Sequence, residues 1–140
     1  MHKDGFGNLE EWGRVLTQLE QLRQDRRLDE HQDGLVRLLR YPDNWRLREA
    51  ALEFARDVRQ PTEPLVTAVL QILTNEDLYY EVRVLAAEAL AALLPAARTG
   101  RDGRNRELEQ RALEQMHALL DATHPPVLHQ AVQRVLPTIE

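Results

Sequence analysis

The sequence predicts an all-α fold of about seven helices, and three observations support this prediction. Leu, Ala, Glu, Gln and Arg dominate the 140 residues, and all five favour helix. No useful stretch alternates apolar with polar residues, which is the pattern of a half-buried strand. Seven prolines, most of them between apolar stripes, divide the chain into short segments because proline breaks a helix interior.

Apolar spacing and turn residues give the expected bounds of each helix. Asn8 is a good N-cap, so the first helix is expected over 8–25, with Trp12 in its buried stripe. The second helix is expected over 33–40, followed by a Tyr-Pro-Asp turn. The others are expected over 44–58, 63–74, 78–95, 105–122 and 126–139.

The last six predicted helices form three copies of one helix pair. The apolar positions of the helix over 44–58 recur as apolar positions after shifts of 35 and 81 residues. The eighteen positions are Leu47, Ala50, Ala51, Phe54, Ala55 and Val58, then Val82, Leu85, Ala86, Ala89, Leu90 and Leu93, then Leu128, Ala131, Val132, Val135, Leu136 and Ile139. An apolar triplet recurs in the preceding helices as Leu35, Leu38 and Leu39, then Val69, Ile72 and Leu73, then Met116, Leu119 and Leu120. The sequence therefore predicts stacked helix pairs with a continuous core.

Charged residues recur with the same spacing and reveal a family likeness. The segments read Asp43-x3-Leu47-Arg48-x-Ala50-Ala51-Leu52 and Asp77-x4-Val82-Arg83-x2-Ala86-Ala87-x-Ala89-Leu90. They resemble the HEAT-repeat family, in the short bacterial form called HEAT-like or phycobilisome-lyase-like repeats. The resemblance implies one short α-solenoid domain over 1–140, with repeats 33–58, 63–95 and 105–139, a capping helix 8–25, and an Arg/Gly loop 96–104.

The resemblance also implies a structural ladder of charges. Asp43 and Asp77 are expected to cap the second helix of each pair and to bind arginines of the neighbouring repeat. Arg48 and Arg83 are the arginines at the matching positions. Carboxylates at helix starts favour such a geometry in any fold.

Aromatic residues before the repeated stripes are candidate partner contacts. Trp45 shifted by 35 residues is Tyr80, and Tyr79 precedes it. Aromatic anchors dominate interface energies, although the same residues could simply cover the turns between repeats. The candidate contact residues, all outside the buried stripes, are Trp45, Arg46, Glu49, Glu53, Arg56, Tyr79 and Tyr80.

The loop over 98–106 and the histidines are the remaining candidate sites. Arg98, Arg101 and Arg104 could clamp an anion, and the alternative is a solvated linker. The five histidines lack metal-ligand spacing on one helix, so no metal or other cofactor is expected. Val127, Val132 and Ile139 are expected to be exposed near the chain end, where they could cap the core or meet a partner.

The repeat pattern and the composition together favour a protein-binding function. The chain has no cysteine, no serine and a single lysine, so the common catalytic nucleophiles are missing. A net charge of -5 argues against nucleic acid, and no apolar run is long enough to span a membrane, which favours the cytoplasm. We therefore expect a non-catalytic protein–protein interaction scaffold. The alternatives are a bilin-lyase-like or a DNA-binding, glycosylase-like HEAT protein.

The local charge of the first repeat bears on the nature of the partner. Its arginines make residues 35–60 basic overall, which favours an acidic protein over DNA. The arginines that carry this expectation are Arg46, Arg48, Arg56 and Arg59. The oligomeric state is left open by the sequence.

Overall fold

A computed structural model describes residues 5–98, 104–121 and 125–139 of the chain, without the side chains of residues 98, 104 and 105. Within these ranges there are seven α-helices, one short 3-10 helix and no strand, which confirms the all-α prediction. The helices are α1 Trp12–Gln24, α2 Gln32–Leu39, α3 Trp45–Ala55, α4 Glu63–Thr74, α5 Tyr80–Arg98, α6 Arg104–Asp121 and α7 Pro126–Ile139. The 3-10 helix, Leu28–His31, leads directly into α2.

The bounds differ from the prediction mainly at α1, α3 and α5. The helix α5 begins at Tyr80 and continues to Arg98 with Pro95 inside it, so it does not end at Pro95 as expected, and residues 96–98 of the predicted Arg/Gly loop are helical. The Asn8 side chain accepts a hydrogen bond from the Glu10 amide at 3.0 Å, which forms a turn, so α1 begins at Trp12 instead of Asn8. At the end of α3 the amides of Arg56 and Asp57 bond to carbonyls only three residues back, so the α-helix stops at Ala55 and a tighter turn follows.

The helices pack in two rows. The even row consists of α2, α4 and α6, in which α4 contacts both others. The odd row consists of α1, α3, α5 and α7, in which each helix contacts the next. Each even helix also packs against the odd helix that follows it, so α2–α3, α4–α5 and α6–α7 are helix pairs.

Side-chain contacts show that α1, α3 and α5 are parallel. The guanidinium of Arg46, near the start of α3, lies 5.6 Å from the Trp12 ring at the start of α1. At the other ends of the same helices, the Arg23 guanidinium lies 4.7 Å from the Phe54 ring. Tyr79, just before α5, bonds to Glu49 in the first half of α3, and Glu88 in the middle of α5 lies 4.0 Å from Arg56, just after α3 ends. These three helices therefore begin at the same edge of the molecule.

The core lies between the two rows, where the repeat positions converge. Sixteen of the eighteen positions are buried, and Ala50 and Leu85 are half-buried. The equivalent residues Leu47, Val82 and Leu128 have no exposed surface at all. The prediction that Val127, Val132 and Ile139 are exposed near the chain end is only partly right. Val127 is exposed, but Val132 and Ile139 are buried.

Polar contacts fasten the first helix pair to the second. The Gln32 side chain donates to the Gln60 carbonyl at 3.0 Å and accepts from the Thr62 amide at 2.8 Å. The Asp29 carboxylate accepts from the amides of Arg59 and Gln60. These bonds satisfy the backbone of the connection between α3 and α4, which would otherwise be left without partners beside the core.

Candidate protein-interaction surface

Four large apolar side chains are exposed in the described part of the chain, and all four lie at the start of an odd-row helix. Trp12, Trp45 and Val127 are in the first turns of α1, α3 and α7, and Tyr79 precedes α5 by one residue. Their exposed fractions are 40, 56, 49 and 37% respectively. Because α1, α3 and α5 are parallel, Trp12, Trp45 and Tyr79 follow one edge of the molecule. We call these three residues the aromatic edge.

Arg46 joins two members of the aromatic edge. Its guanidinium carbon lies 5.6 Å from the Trp12 ring and 5.4 Å from the Trp45 ring. Both distances are within the range of cation–π attraction. The two indoles are therefore held around one cation, which limits their rotation.

Tyr79 is fixed by a hydrogen bond to the neighbouring helix. Its hydroxyl donates to Oε2 of Glu49 in α3 at 2.5 Å. Partial burial, together with the Glu49 carboxylate, raises the pKa of the Tyr79 hydroxyl far above its usual value. The hydroxyl is therefore anchored to α3 while the ring remains partly exposed at the surface.

Tyr80 differs from the expectation that it is an exposed equivalent of Trp45. The two residues do occupy the same register, since each is the first residue of its helix. Tyr80, however, is half-buried and packs against the core, with the Arg83 guanidinium 5.4 Å from its ring. Tyr79 occupies the exposed position instead.

Arg48 and Arg83 bind backbone carbonyls, which corrects the predicted Asp–Arg ladder. Arg83 is 1% exposed, and its Nε donates to the carbonyl of Leu73 near the end of α4 at 2.8 Å. Arg48 is half-buried and donates to the carbonyls of Leu39 and Tyr41, where α2 ends. Each arginine thus satisfies the C-terminal carbonyls of the other helix in its own pair, where a cation is favoured.

The aspartates of the predicted ladder have no such role. Asp43 and Asp77 are exposed, and neither takes part in the ion pairs found among the described residues. The cap of α3 is Asn44, whose side chain accepts from the amides of Arg46 and Leu47. The prediction was wrong about both the cap and the arginine partners.

The ion pairs that do cross the odd row include the predicted contact residue Arg56 and two residues that sequence reasoning missed, Glu88 and Arg134. Glu88 of α5 lies 4.0 Å from Arg56 of α3 and 3.2 Å from Arg134 of α7. These side chains are 30 to 63% exposed, so the pairs are weak at physiological salt. Glu53 is exposed on α3, on the side where its charge acts on Arg23 of α1. The repeat did carry a signal for this bridge, because Glu53 becomes Glu88 after the shift of 35 residues and Arg134 after the shift of 81.

Trp12 is the other missed residue, and a signal for it was present. The prediction placed it in a buried stripe, but α1 begins at Trp12, so the indole lies at the helix start and is exposed. Trp12 and Trp45 are 33 residues apart, close to the repeat length, and each opens an odd-row helix. Extending the repeat to α1 would have found it.

A cleft on the described surface is a weaker candidate for a binding site than the aromatic edge. The cleft where α1 and α3 end measures about 440 Å³ and is lined by Arg23, Arg26, Leu28, Asp29, Asp57 and Arg59. Two of its five charged side chains are already engaged, since Arg23 pairs with Glu20 at 2.6 Å and the Asp29 carboxylate accepts two backbone amides. Among the described residues no three His, Asp or Glu side chains cluster as metal ligands would.

Most of the predicted anion-binding loop, residues 99–103, lies outside the part of the chain that the structure describes. Arg101 is not among the described residues, and the side chains of Arg98 and Arg104 are likewise outside them. No described helix combines the length and apolar character needed to cross a bilayer.

Comparisons of the chain with protein-family models, with curated proteins and with solved structures find no match.

Proposed function

We propose that this chain is a non-catalytic protein-binding domain, built as a short α-solenoid of three HEAT-like helix pairs with α1 as a cap. Its partner binds along the aromatic edge. The two-row contacts and the repeat of buried positions support the architecture. The observation that carries the function is the alignment of Trp12, Trp45 and Tyr79 along one edge.

The dimensions of this edge suit a protein partner. Packed helices lie about 8–10 Å apart, so the edge from α1 to α5 is about 20 Å long. A typical specific interface buries about 800 Å² on each partner, which a patch of this length can supply. Trp and Tyr are also enriched among the residues that contribute most to binding energy.

Contacts within the edge partly order its side chains before any partner arrives. Arg46 holds the two indoles, and Glu49 holds the Tyr79 hydroxyl. Side chains that are already ordered lose little entropy on binding, so more of the contact energy appears as affinity. This arrangement is better explained by recognition than by the covering of a turn, since more than a third of each ring is exposed.

The proposal is tested by quantitative capture from a lysate of the source cells on the immobilised domain. We expect the double variant Trp45→Ala/Tyr79→Ala to lose at least about tenfold in the capture of specific partners, since each anchor contributes about 1–2 kcal/mol. The matched control is Gln71→Ala/Gln110→Ala, two exposed positions on the even row, with circular dichroism to confirm folding. Equal capture by the aromatic variant and the wild type would refute the proposed surface.

A second assay addresses the DNA-binding alternative. Duplex DNA is titrated against the domain at low salt in a mobility-shift experiment. The proposal predicts no specific complex. A complex that weakens steeply as salt is raised would replace the proposal with nucleic-acid binding.

A further inference from the structure

Exposed carboxylates surround the exposed anchors Trp45 and Tyr79. Asp43 lies in the turn before α3, Glu76 and Asp77 lie in the turn before α5, and Glu81 is in the first turn of α5. All four are exposed, and none takes part in the ion pairs found in the described part of the chain. The aromatic edge is therefore flanked by negative charge on the outside of the molecule.

Helix dipoles explain only part of this charge. A helix N-terminus carries about half a positive charge, which one nearby carboxylate more than compensates. The start of α5 has three exposed carboxylates, from Glu76, Asp77 and Glu81. An excess of negative charge remains after the dipole has been neutralised.

The nearest arginines do not cancel the excess at the surface. Arg48 and Arg83 direct their guanidinium groups inward to backbone carbonyls where α2 and α4 end. Two exposed cations are near these turns: Arg40, three residues before Asp43, and Arg46, between the rings of Trp12 and Trp45. Two cations against four exposed carboxylates leave the region negative.

The structure also separates the arginines on which the sequence-based expectation of an acidic partner depends. Arg46 lies at the aromatic edge, and Arg48 is turned inward. Arg56 pairs with Glu88, while Arg59 lines the cleft where α1 and α3 end. These arginines form no common basic patch, so the argument for an acidic partner loses its physical basis.

We infer that the partner segment bound at the aromatic edge is basic: a peptide stretch in which Lys or Arg residues flank apolar ones. This inference rests on the proposed function. The apolar residues cover Trp45 and Tyr79, and the cations meet the carboxylates of the turns before α3 and α5. These turns are about 10 Å apart, which corresponds to about three residues of an extended peptide. Complementary charge of this kind selects the partner and accelerates its association.

The test uses three fluorescein-labelled peptides with the same length and the same apolar residues. Their variable positions carry Lys and Arg, Glu, or Gln, and binding is measured by fluorescence polarisation at low and at physiological ionic strength. We expect the basic peptide to bind at least about tenfold more tightly than the acidic one, with a difference that shrinks as salt is added.

Charge-reversal variants locate the effect on the molecule. Asp77→Lys/Glu81→Lys is expected to weaken binding of the basic peptide about tenfold. The matched control Glu107→Lys/Glu114→Lys makes the same change of charge on exposed positions of α6, and less than a twofold effect is expected there. Equal losses in the two variants would mean that only net charge matters, which overturns the inference.

Further outcomes separate this inference from the proposed function. If the acidic or neutral peptide binds as tightly as the basic one, and Trp45→Ala weakens that binding, the inference fails and the proposed surface stands. If the basic peptide binds and Trp45→Ala/Tyr79→Ala changes nothing, the proposed surface itself fails. Absence of any binding by the basic peptide up to about 1 mM also overturns the inference.

Discussion

Arg83 and Arg48 hold the same position in successive helix pairs but differ in burial, and replacing each with alanine tests how these arginines stabilise the domain. Arg83 is 1% exposed and donates to the Leu73 carbonyl at 2.8 Å, while Arg48 is half-buried and donates at 3.3 and 3.2 Å. We expect Arg83→Ala to lower the free energy of unfolding by about 3 kcal/mol and Arg48→Ala by about 1 kcal/mol.

The larger value follows from the surroundings of Arg83. The loss of a charge-assisted hydrogen bond to a buried carbonyl contributes about 2 kcal/mol, and the lost packing of the side-chain stem contributes about 2 kcal/mol more. Nη2 of Arg83 is buried without a hydrogen-bond partner, so removing it returns about 1 kcal/mol. At Arg48, water replaces the guanidinium at the two carbonyls, and the net loss is smaller.

The assay is urea-induced unfolding followed by far-UV circular dichroism, with Asp77→Asn as the matched control. Since Arg83 binds a helix carbonyl and not a carboxylate, Asp77→Asn should change the free energy of unfolding by less than about 0.5 kcal/mol. An Asp77→Asn variant as unstable as Arg83→Ala would refute this reasoning and restore the Asp–Arg ladder. Equal losses in Arg48→Ala and Arg83→Ala would refute the argument from burial.

Three further predictions concern single side chains. The pKa of Tyr79 is raised in the folded state, so its contribution to stability is present below pH ~10 and is lost as the pH rises further. The thermal midpoint of the wild type should therefore depend more steeply on alkaline pH than that of Tyr79→Phe. The control variant is Tyr41→Phe. Asn44→Ala removes the cap of α3 and should lower the free energy of unfolding by about 1 kcal/mol. Asp43→Ala, in the same turn, should lower it by less than about 0.5 kcal/mol. Equal losses in urea unfolding would contradict the assignment of the cap. Arg26 has a φ of 58° just after α1, a backbone conformation that favours glycine. Arg26→Gly should therefore raise the thermal midpoint by relieving about 1 kcal/mol of backbone strain. A lowered midpoint would show instead that the Arg26 side chain stabilises the fold.

The class of the fold and most of its core could be predicted from the sequence because both depend on local rules. Helical period and proline position act within one segment, so the seven helices and the burial of Leu47, Val82 and Leu128 follow from the pattern of residues alone. The recurrence of Arg48 and Arg83 was also visible, and the structure places both at the fourth residue of an odd-row helix. The exposed position of Trp45 was predicted by the same spacing.

The partners of these side chains were decided by the tertiary structure. An arginine at a repeat position can reach a carboxylate or a helix carbonyl, and only the packing of α4 beside α5 brings the Leu73 carbonyl within 2.8 Å of Arg83. The bridge from Glu88 to Arg134 depends in the same way on the packing of α7 against α5. Likewise, the aromatic edge exists because the starts of α1, α3 and α5 meet along one side of the odd row. Sequence periodicity describes each helix about its own axis, whereas the direction and register of one helix against another are set by the contacts between them.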